Sequence, residues 1–309
     1  MFAALVFLID RVVAPRLPPV LATLVFPAVL LSVLYVGYLA SPFGTWGDIA
    51  YTQTGFPLLL QSVSVAGIWG ITFLVAWFAA IANLVLEQGV AARPSRVAGA
   101  MLVSALTVVL IFGAVSLQGY KPDATITVAT VAAAPDEDDF LRRARGFAQE
   151  NEIYLFVGLL LYPATPEDSL QNRLVAINPE GDIGWDYHKA KPVPGERIVA
   201  GDGQLPVLDT PFGRITGMIC FDADFPALAR QAAELRADLL LVAANDWAEI
   251  EQVHADMAVV RAVEHDVSLL RATSGGISVA ATGTGKRVTE SGASNPIMIV
   301  TLPLNRQHR

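Results

Sequence analysis

Apolar positions follow two different rhythms along this chain. Before about residue 117 they form long unbroken runs, and after it they form short runs separated by charged and turn residues. Pro19 to Leu39 carries no charge, and a run of about twenty residues is long enough to cross the hydrocarbon layer as a helix. Pro57 to Leu86 is also uncharged but too long for one crossing. Its start, "FPLLLQSVSVAG", reads as interfacial, and Ile68 to Leu86 reads as the span. Ala98 to Leu117 makes a third span. Phe2 to Ile9 is too short by itself and reads as the end of a helix whose beginning is absent. Asp10 follows at once and no basic segment precedes it, which argues against a signal peptide.

The later runs read as alternating strands and helices. "TITVATVAA" (125–133) is a candidate buried strand. Residues 136–150 read as a helix whose acidic first turn, "DEDDF", suits the positive end of the helix dipole. "IYLFVGLLL" is the next strand, and Asn-Pro-Glu-Gly at 178–181 is a turn between two strands. "RITGMIC" leads into Cys220, "PALARQAAELRA" is a helix with Pro226 at its start, and "DLLLVAA" ends at Asn245-Asp246-Trp247. A helix over 252–265 precedes "VSLLRAT", a Gly-Gly turn and "ISVAAT". This order implies a layered α/β domain. The expected division is a transmembrane helical part over 1–120 and an α/β part over 121–305.

Charge then orients the first part. Through Tyr120 the basic residues are Arg11, Arg16, Arg93 and Arg96, in two connections. The intervening loop "SPFGTWGDIAYTQTG" has none. The positive-inside tendency puts both arginine-bearing connections in the cytoplasm and everything after the third span on the extracytoplasmic side. Overall composition agrees with a membrane protein: 53% hydrophobic, 16% charged, mean hydropathy +0.49. A net charge of −8 argues against nucleic acid as a partner. His188, His254, His265 and His308 lack the close pairing of metal ligands, so neither a metal nor another cofactor is expected. "ATGTGKR" is not a phosphate loop, because Ala280 stands where the first glycine belongs and Arg287 where Ser or Thr should follow the lysine. It reads as a hairpin turn.

The chain has one cysteine, in "GMICFDADFP". A strand ending in a nucleophile, followed by a turn and a helix, exposes that side chain at the sheet's carboxyl edge. The helix-start amides can face a developing oxyanion and raise the thiolate fraction. Free cysteine is also a common core residue, so this stretch alone leaves both readings open. Three other stretches accompany it: "YHKAKPVPGE" (187–196), "NDW" (245–247) and "MAVVRAVEHDVSLLRATSGGIS" (257–278). Together these resemble the nitrilase (carbon–nitrogen hydrolase) superfamily, whose members use a Glu-Lys-Cys triad on an α-β-β-α sandwich. The spans, including "GFPLLLQSVSVAGIWGITFLVAWFAA", are similar to the membrane-embedded branch, the apolipoprotein N-acyltransferases.

The resemblance implies roles for particular residues. Cys220 matches the nucleophile that carries the acyl group as a thioester, and Lys189 the lysine that stabilises thiolate and oxyanion. The amide of Phe221 would complete an oxyanion hole. Glu196 matches the supporting glutamate of the "VPFGE" loop, one residue shorter here. Asn245, Asp246 and Trp247 match the segment lining the site, while Arg261, Glu264 and Arg271 match charged positions expected to hold helix to sheet. The implied partners are the bilayer, a phospholipid acyl donor and the N-terminal cysteine of a lipoprotein as acceptor, in a bacterial-type plasma membrane.

Two departures accompany the match. The family's general-base glutamate sits in a Trp-Pro-Glu context after the second strand, and no such sequence occurs here. About forty residues, a helix and a strand, are expected to be missing, leaving Glu137 as a weak candidate base. "IVTLPLNRQHR" is expected to stop short of the last sheet strands. The sandwich is therefore expected to be incomplete. A membrane-tethered amidase or nitrilase-type hydrolase, or a catalytically inactive relative, remains an alternative to the acyltransferase.

Overall fold

The computed structural model describes residues 2–122, 124–130, 137–162, 169–292 and 298–304. The chain divides into two compact units, Met1–Gly119 and Tyr120–Arg309.

The first unit is helical. It comprises α1 (Phe2–Val13), α2 (Pro19–Ala22), α3 (Val25–Ala40), α4 (Pro57–Leu60), α5 (Val63–Gln88) and α6 (Arg93–Gly119). Among the described residues, three stretches are long and apolar enough to cross a membrane: Pro19–Ala40, Val63–Gln88 and Arg93–Gly119. The boundary read before Ile68 falls at a kink inside α5, where Gly67 leaves the helical region (φ 58°, ψ −166°). Two expectations need correction. Helix α1 runs on through Asp10 and Arg11 to Val13, because nothing in "DRVV" breaks a helix and Pro15 comes only after it. Arg93 and Arg96 lie in the first turn of α6, not in a loop; Pro94 is tolerated there because first-turn amides need no intrahelical partner. Tyr51, in the connection between α3 and α4, is buried, and its hydroxyl bonds Thr45 at 2.6 Å.

The second unit is an α-β-β-α sandwich. Its elements are β1 (Ala124–Thr130), α7 (Glu137–Glu150), β2 (Leu155–Leu161), β3 (Gln171–Ile177), β4 (Ile183–His188), β5 (Val207–Asp209), β6 (Arg214–Ile219), α8 (Pro226–Glu234), β7 (Leu239–Ala244), α9 (Glu251–His265), β8 (Ser268–Thr273), β9 (Ser278–Ala281), β10 (Arg287–Ser291) and β11 (Met298–Leu304). One sheet has the order β10-β9-β8-β7-β6-β5, with β6, β7 and β8 parallel. Its apolar side chains alternate between two faces. Met218, Leu240, Val242 and Leu269 join Ala229, Ala258 and Ala262 of α8 and α9 in one cluster. Ile215, Leu239, Leu241 and Leu270 join Met298, Val300, Leu302 and Leu304 of β11 in another.

The second β layer is split among the described residues, with β2-β3-β4 antiparallel and β1 paired only with β11. Helix α7 covers its outer face, where Ala144 and Ala148 meet Leu159, Val175 and Ile177. The two layers approach closely at Gly217, where a Cβ would lie 2.7 Å from Leu174 and 2.9 Å from Trp185. The sandwich is thus present, with its second layer in two pieces.

One local expectation changes, and two strands carried no prediction. "IVTLPL" forms part of β11, whose alternate residues are buried. Helix α8 stops at Glu234, ahead of the predicted end, because Arg236 adopts a left-handed conformation (φ 53°). The short edge strand β5 had no periodic signal. The hairpin read at "ATGTGKR" joins β9 and β10.

Candidate active site

Strand β6 delivers Cys220 to the edge of the six-stranded sheet. There Cys220 opens a 3₁₀ turn, Cys220–Asp224, and α8 follows at Pro226. Cys220 has φ 49°, a left-handed conformation uncommon for a residue with a Cβ. Such backbone cost persists where the surrounding structure enforces it, and it concentrates at functional sites.

Asp222 is what enforces the turn. It is fully buried; its Oδ2 accepts from the amide of Ile219 at 3.0 Å and from the Tyr187 hydroxyl at 2.8 Å. Its Oδ1 accepts from the amide of Lys191 at 2.7 Å. Burial pushes its pKa up to about 6, against the opposing pull of those bonds and of nearby Lys189. Asp222 therefore ties the Cys220 turn to the end of β4. There Lys189 is 2% exposed, and its Nζ donates to Glu196 Oε2 at 2.8 Å. Glu196 also accepts from the amide of Val193 at 2.9 Å, so the loop closes on its own carboxylate. Lys191 reaches back over the Phe225 ring, 5.0 Å from its centroid.

A second group of charges adjoins the thiol. The Cys220 thiol donates to Asp246 Oδ1 at 3.8 Å. The same oxygen meets His254 Nδ1 at 2.9 Å, and Asp246 Oδ2 is bonded by Arg271. On the other side of the ring, His254 Nε2 lies 3.4 Å from Asp224 Oδ2. Burial alone would lower the His254 pKa, but the bonds to Asp224, Asp246 and Cys220 outweigh it and hold it up to about 11. Asp246 moves the other way: burial would raise its pKa, and His254 with Arg271 hold it below the usual carboxylate range. Cys220, Asp246 and His254 bring possible metal-ligating atoms within 4.8 Å of one another. Both Asp246 oxygens are already engaged, however, and Arg271 and His254 supply the local positive charge. The cluster is built as an ion-pair network, not as a cation cage.

The predicted residues thus fall into two groups beside one turn, Lys189 with Glu196 and Cys220 with Asp246. Phe221 is buried and packs edge-on against Phe225 at 5.4 Å. Asn245 is exposed, and Trp247 is 56% exposed. Glu137 opens α7, but its side chain lies outside the described residues. Arg271 bonds Ile277 O at 2.7 Å as well as Asp246, while Arg261 pairs with Glu264 of the same helix at 3.1 Å. Sequence reasoning noted Asp222 and Asp224 at the cysteine turn but assigned them no partners, and gave His254 and Tyr187 no role. The signal for the first two lay in "CFDAD", where two acids in an apolar context have to find partners once buried.

The sandwich and the strand–turn–helix presenting Cys220 are those of the carbon–nitrogen hydrolases, and the chain belongs to that family, whose model matches residues 84–307. Ahead of it, residues 1–81 match the apolipoprotein N-acyltransferase N-terminal domain. The chain is 29% identical to the apolipoprotein N-acyltransferase of Geobacter metallireducens, over 75% of this chain and 59% of that protein. It is 32% identical to a formamidase of Bacillus cereus, over 43% of this chain and 40% of that protein. The chain thus spans less than two thirds of the curated relatives it matches. Among solved structures it is similar to a variant of the amidase from Nesterenkonia sp. AN1 in complex with butyramide. That match has 26% identity and TM-score 0.47, covering 54% of this chain and 67% of the amidase.

Proposed function

We propose that the chain is a membrane-bound N-acyltransferase that moves an acyl chain from a phospholipid, through a Cys220 thioester, to the N-terminal amine of a lipoprotein. The observation that carries this reading is the pairing of a left-handed Cys220 turn, pinned by Asp222 to the Lys189 loop, with apolar helices that match the acyltransferase N-terminal domain. In this reading the Cys220 thiol is the nucleophile, and the amide of Phe221 and the Lys189 ammonium stabilise the tetrahedral oxyanion. Glu196 orients Lys189, and Asn245 and Trp247 line the approach. A covalent intermediate divides one difficult transfer between two lipid substrates into two easier ones. The membrane is bacterial plasma membrane, with the α/β unit on its extracytoplasmic side.

The test is the intact mass of detergent-purified protein after incubation with phosphatidylethanolamine or phosphatidylglycerol, beside Cys220→Ala. A hydroxylamine-labile acyl mass on the parent alone is the expected result, and a folded parent that takes no adduct would sink the reading. The formamidase relatives support a second reading, a membrane-tethered amidase. Hydrolysis of a short amide in lipid-free detergent, with no acyl adduct from phospholipid, would select it.

A further inference from the structure

We propose that Asp246 is the proton acceptor for the Cys220 thiol, in the role that a glutamate holds in the family's triad. The inference deepens the acyl-transfer reading and rests on it. A general base has to lie within hydrogen-bonding reach of the proton it takes, and the Cys220 thiol donates to Asp246 Oδ1. The neighbouring His254 cannot take that proton. It has a carboxylate at each ring nitrogen, Asp246 at Nδ1 and Asp224 at Nε2, so both nitrogens are donors and the ring is an imidazolium. Glu196 bonds Lys189 and the amide of Val193, whereas the hydrogen bond from the thiol goes to Asp246.

Asp246 is also held still, as a base should be. Arg271 of β8 bonds its Oδ2, His254 of α9 bonds its Oδ1, and its amide donates to Gly275 O at 3.1 Å. Glu251, at the start of α9, packs beside the same turn, since a Cβ on Gly276 would meet both Asp246 and Glu251. The remaining charged groups around the cluster are Asp224 on the Cys220 turn and Arg261 on α9. The two cations keep the carboxylate ionised, at the cost of some basicity.

The chemistry balances in both halves. As sulfur attacks the ester carbon, the S–H bond breaks, the S–C bond forms, the proton moves to Asp246 Oδ1 and the carbonyl π pair moves onto oxygen. When the C–O bond of the ester breaks, the leaving alkoxide takes that proton, and the carboxylate is restored. In the second half the attacking amine nitrogen gives its proton to Oδ1 as the N–C bond forms. The departing thiolate then recovers it as thiol.

The test uses the full chain in detergent, where Cys220 is the only thiol and alkylation by iodoacetamide reports its thiolate fraction. Removing the facing negative charge lowers a thiol's pKa. Asp246→Asn is therefore expected to alkylate about 10-fold faster at pH 7, while its acylation by phospholipid falls about 10²-fold or more. A merely structural role for Asp246 would not drive the two rates in opposite directions, so alkylation that is unchanged or slower overturns the proposal. Should the variant not fold, Asp246→Glu decides, because it keeps a carboxylate at the same position. It is expected to retain part of the acylation that Cys220→Ala abolishes, and a folded Asp246→Glu protein that takes no acyl group while the parent does overturns the proposal. If no form takes an acyl group, the acyl-transfer reading fails, while alkylation still decides the partner of the thiol.

Discussion

The amide of Lys191 donates to Asp222 Oδ1 at 2.7 Å, so one buried carboxylate fastens the Cys220 turn to the loop that carries Lys189. The same carboxylate holds the amide of Ile219, immediately before the cysteine, and the Tyr187 hydroxyl. The left-handed cysteine and the lysine loop are therefore one mechanical unit, and neither can move without breaking bonds to Asp222.

Asp222→Ala should accordingly damage both stability and chemistry. It leaves the Ile219 and Lys191 amides and the Tyr187 hydroxyl without their acceptor, and each orphaned buried donor costs about 1–3 kcal/mol. A loss of about 3 kcal/mol is expected in denaturant titration of the α/β unit's signal. The acyl adduct in intact mass should disappear even in the fraction that remains folded. Full acylation by a folded Asp222→Ala protein would show that the tie is dispensable.

His254 gives a pH-dependent counterpart. Its pKa is raised from 6.5 to about 11 in the folded protein. A group raised in this way lends stability that is complete below about pH 6.5 and is lost as pH rises through about 11. His254→Gln removes the cation from between Asp224 and Asp246, and breaking a buried pair costs about 3–5 kcal/mol. The difference in unfolding midpoint between parent and variant should be largest near pH 6 and shrink steadily toward pH 10. A difference that grows with pH would show that the ring is neutral in the native state.

What the sequence made legible was local, and what it hid was long-range. Cys220 could be singled out because strand, turn and helix signals flank it within a few residues, while Lys189 and Glu196 took their roles from the resemblance of "YHKAKPVPGE" to the family's loop. His254 carried no such signal: its partners Asp224 and Asp246 come from two other segments. Only the parallel pairing of β6 with β7 brings the ends of those strands together beside α9. Tyr187 was hidden for the same reason, since its bond to Asp222 exists only once β4 lies across β6. The kink at Gly67 falls where the composition was read to change from interfacial to spanning, although the sequence did not signal a kink. The extension of α1 through Asp10 and Arg11 was not readable, because a polar pair at a helix end resembles a loop until the backbone is seen.

In the helical unit, Gly113 of α6 faces the backbone of α4. A Cβ there would lie 2.0 Å from Leu58 O and 2.7 Å from its carbonyl carbon, and backbone atoms cannot swing aside as a side-chain end can. Gly113→Ala should lower the thermal midpoint of the detergent-solubilised protein, with an overpacking cost of about 1–3 kcal/mol. Gly99→Ala, in the same helix, meets nothing within 4 Å and should be neutral or slightly stabilising, since alanine is the better helix former. Equal behaviour of the two variants would refute close α4–α6 packing at Gly113.

The orientation proposed for the α/β unit can be read with a single engineered thiol. Lys286 is exposed on the hairpin between β9 and β10, so Lys286→Cys in a Cys220→Ala background gives one accessible label site. The basic residues of the first unit, Arg11, Arg16, Arg93 and Arg96, flank the ends of spans that positive-inside logic keeps in the cytoplasm. In the proposed orientation α6 emerges on the opposite face at Gly119, ahead of the α/β unit. A membrane-impermeant maleimide should label this protein in right-side-out vesicles, and in inside-out vesicles only after detergent is added. The reverse pattern would place the α/β unit in the cytoplasm, away from the surface where the proposed lipoprotein acceptor presents its amine.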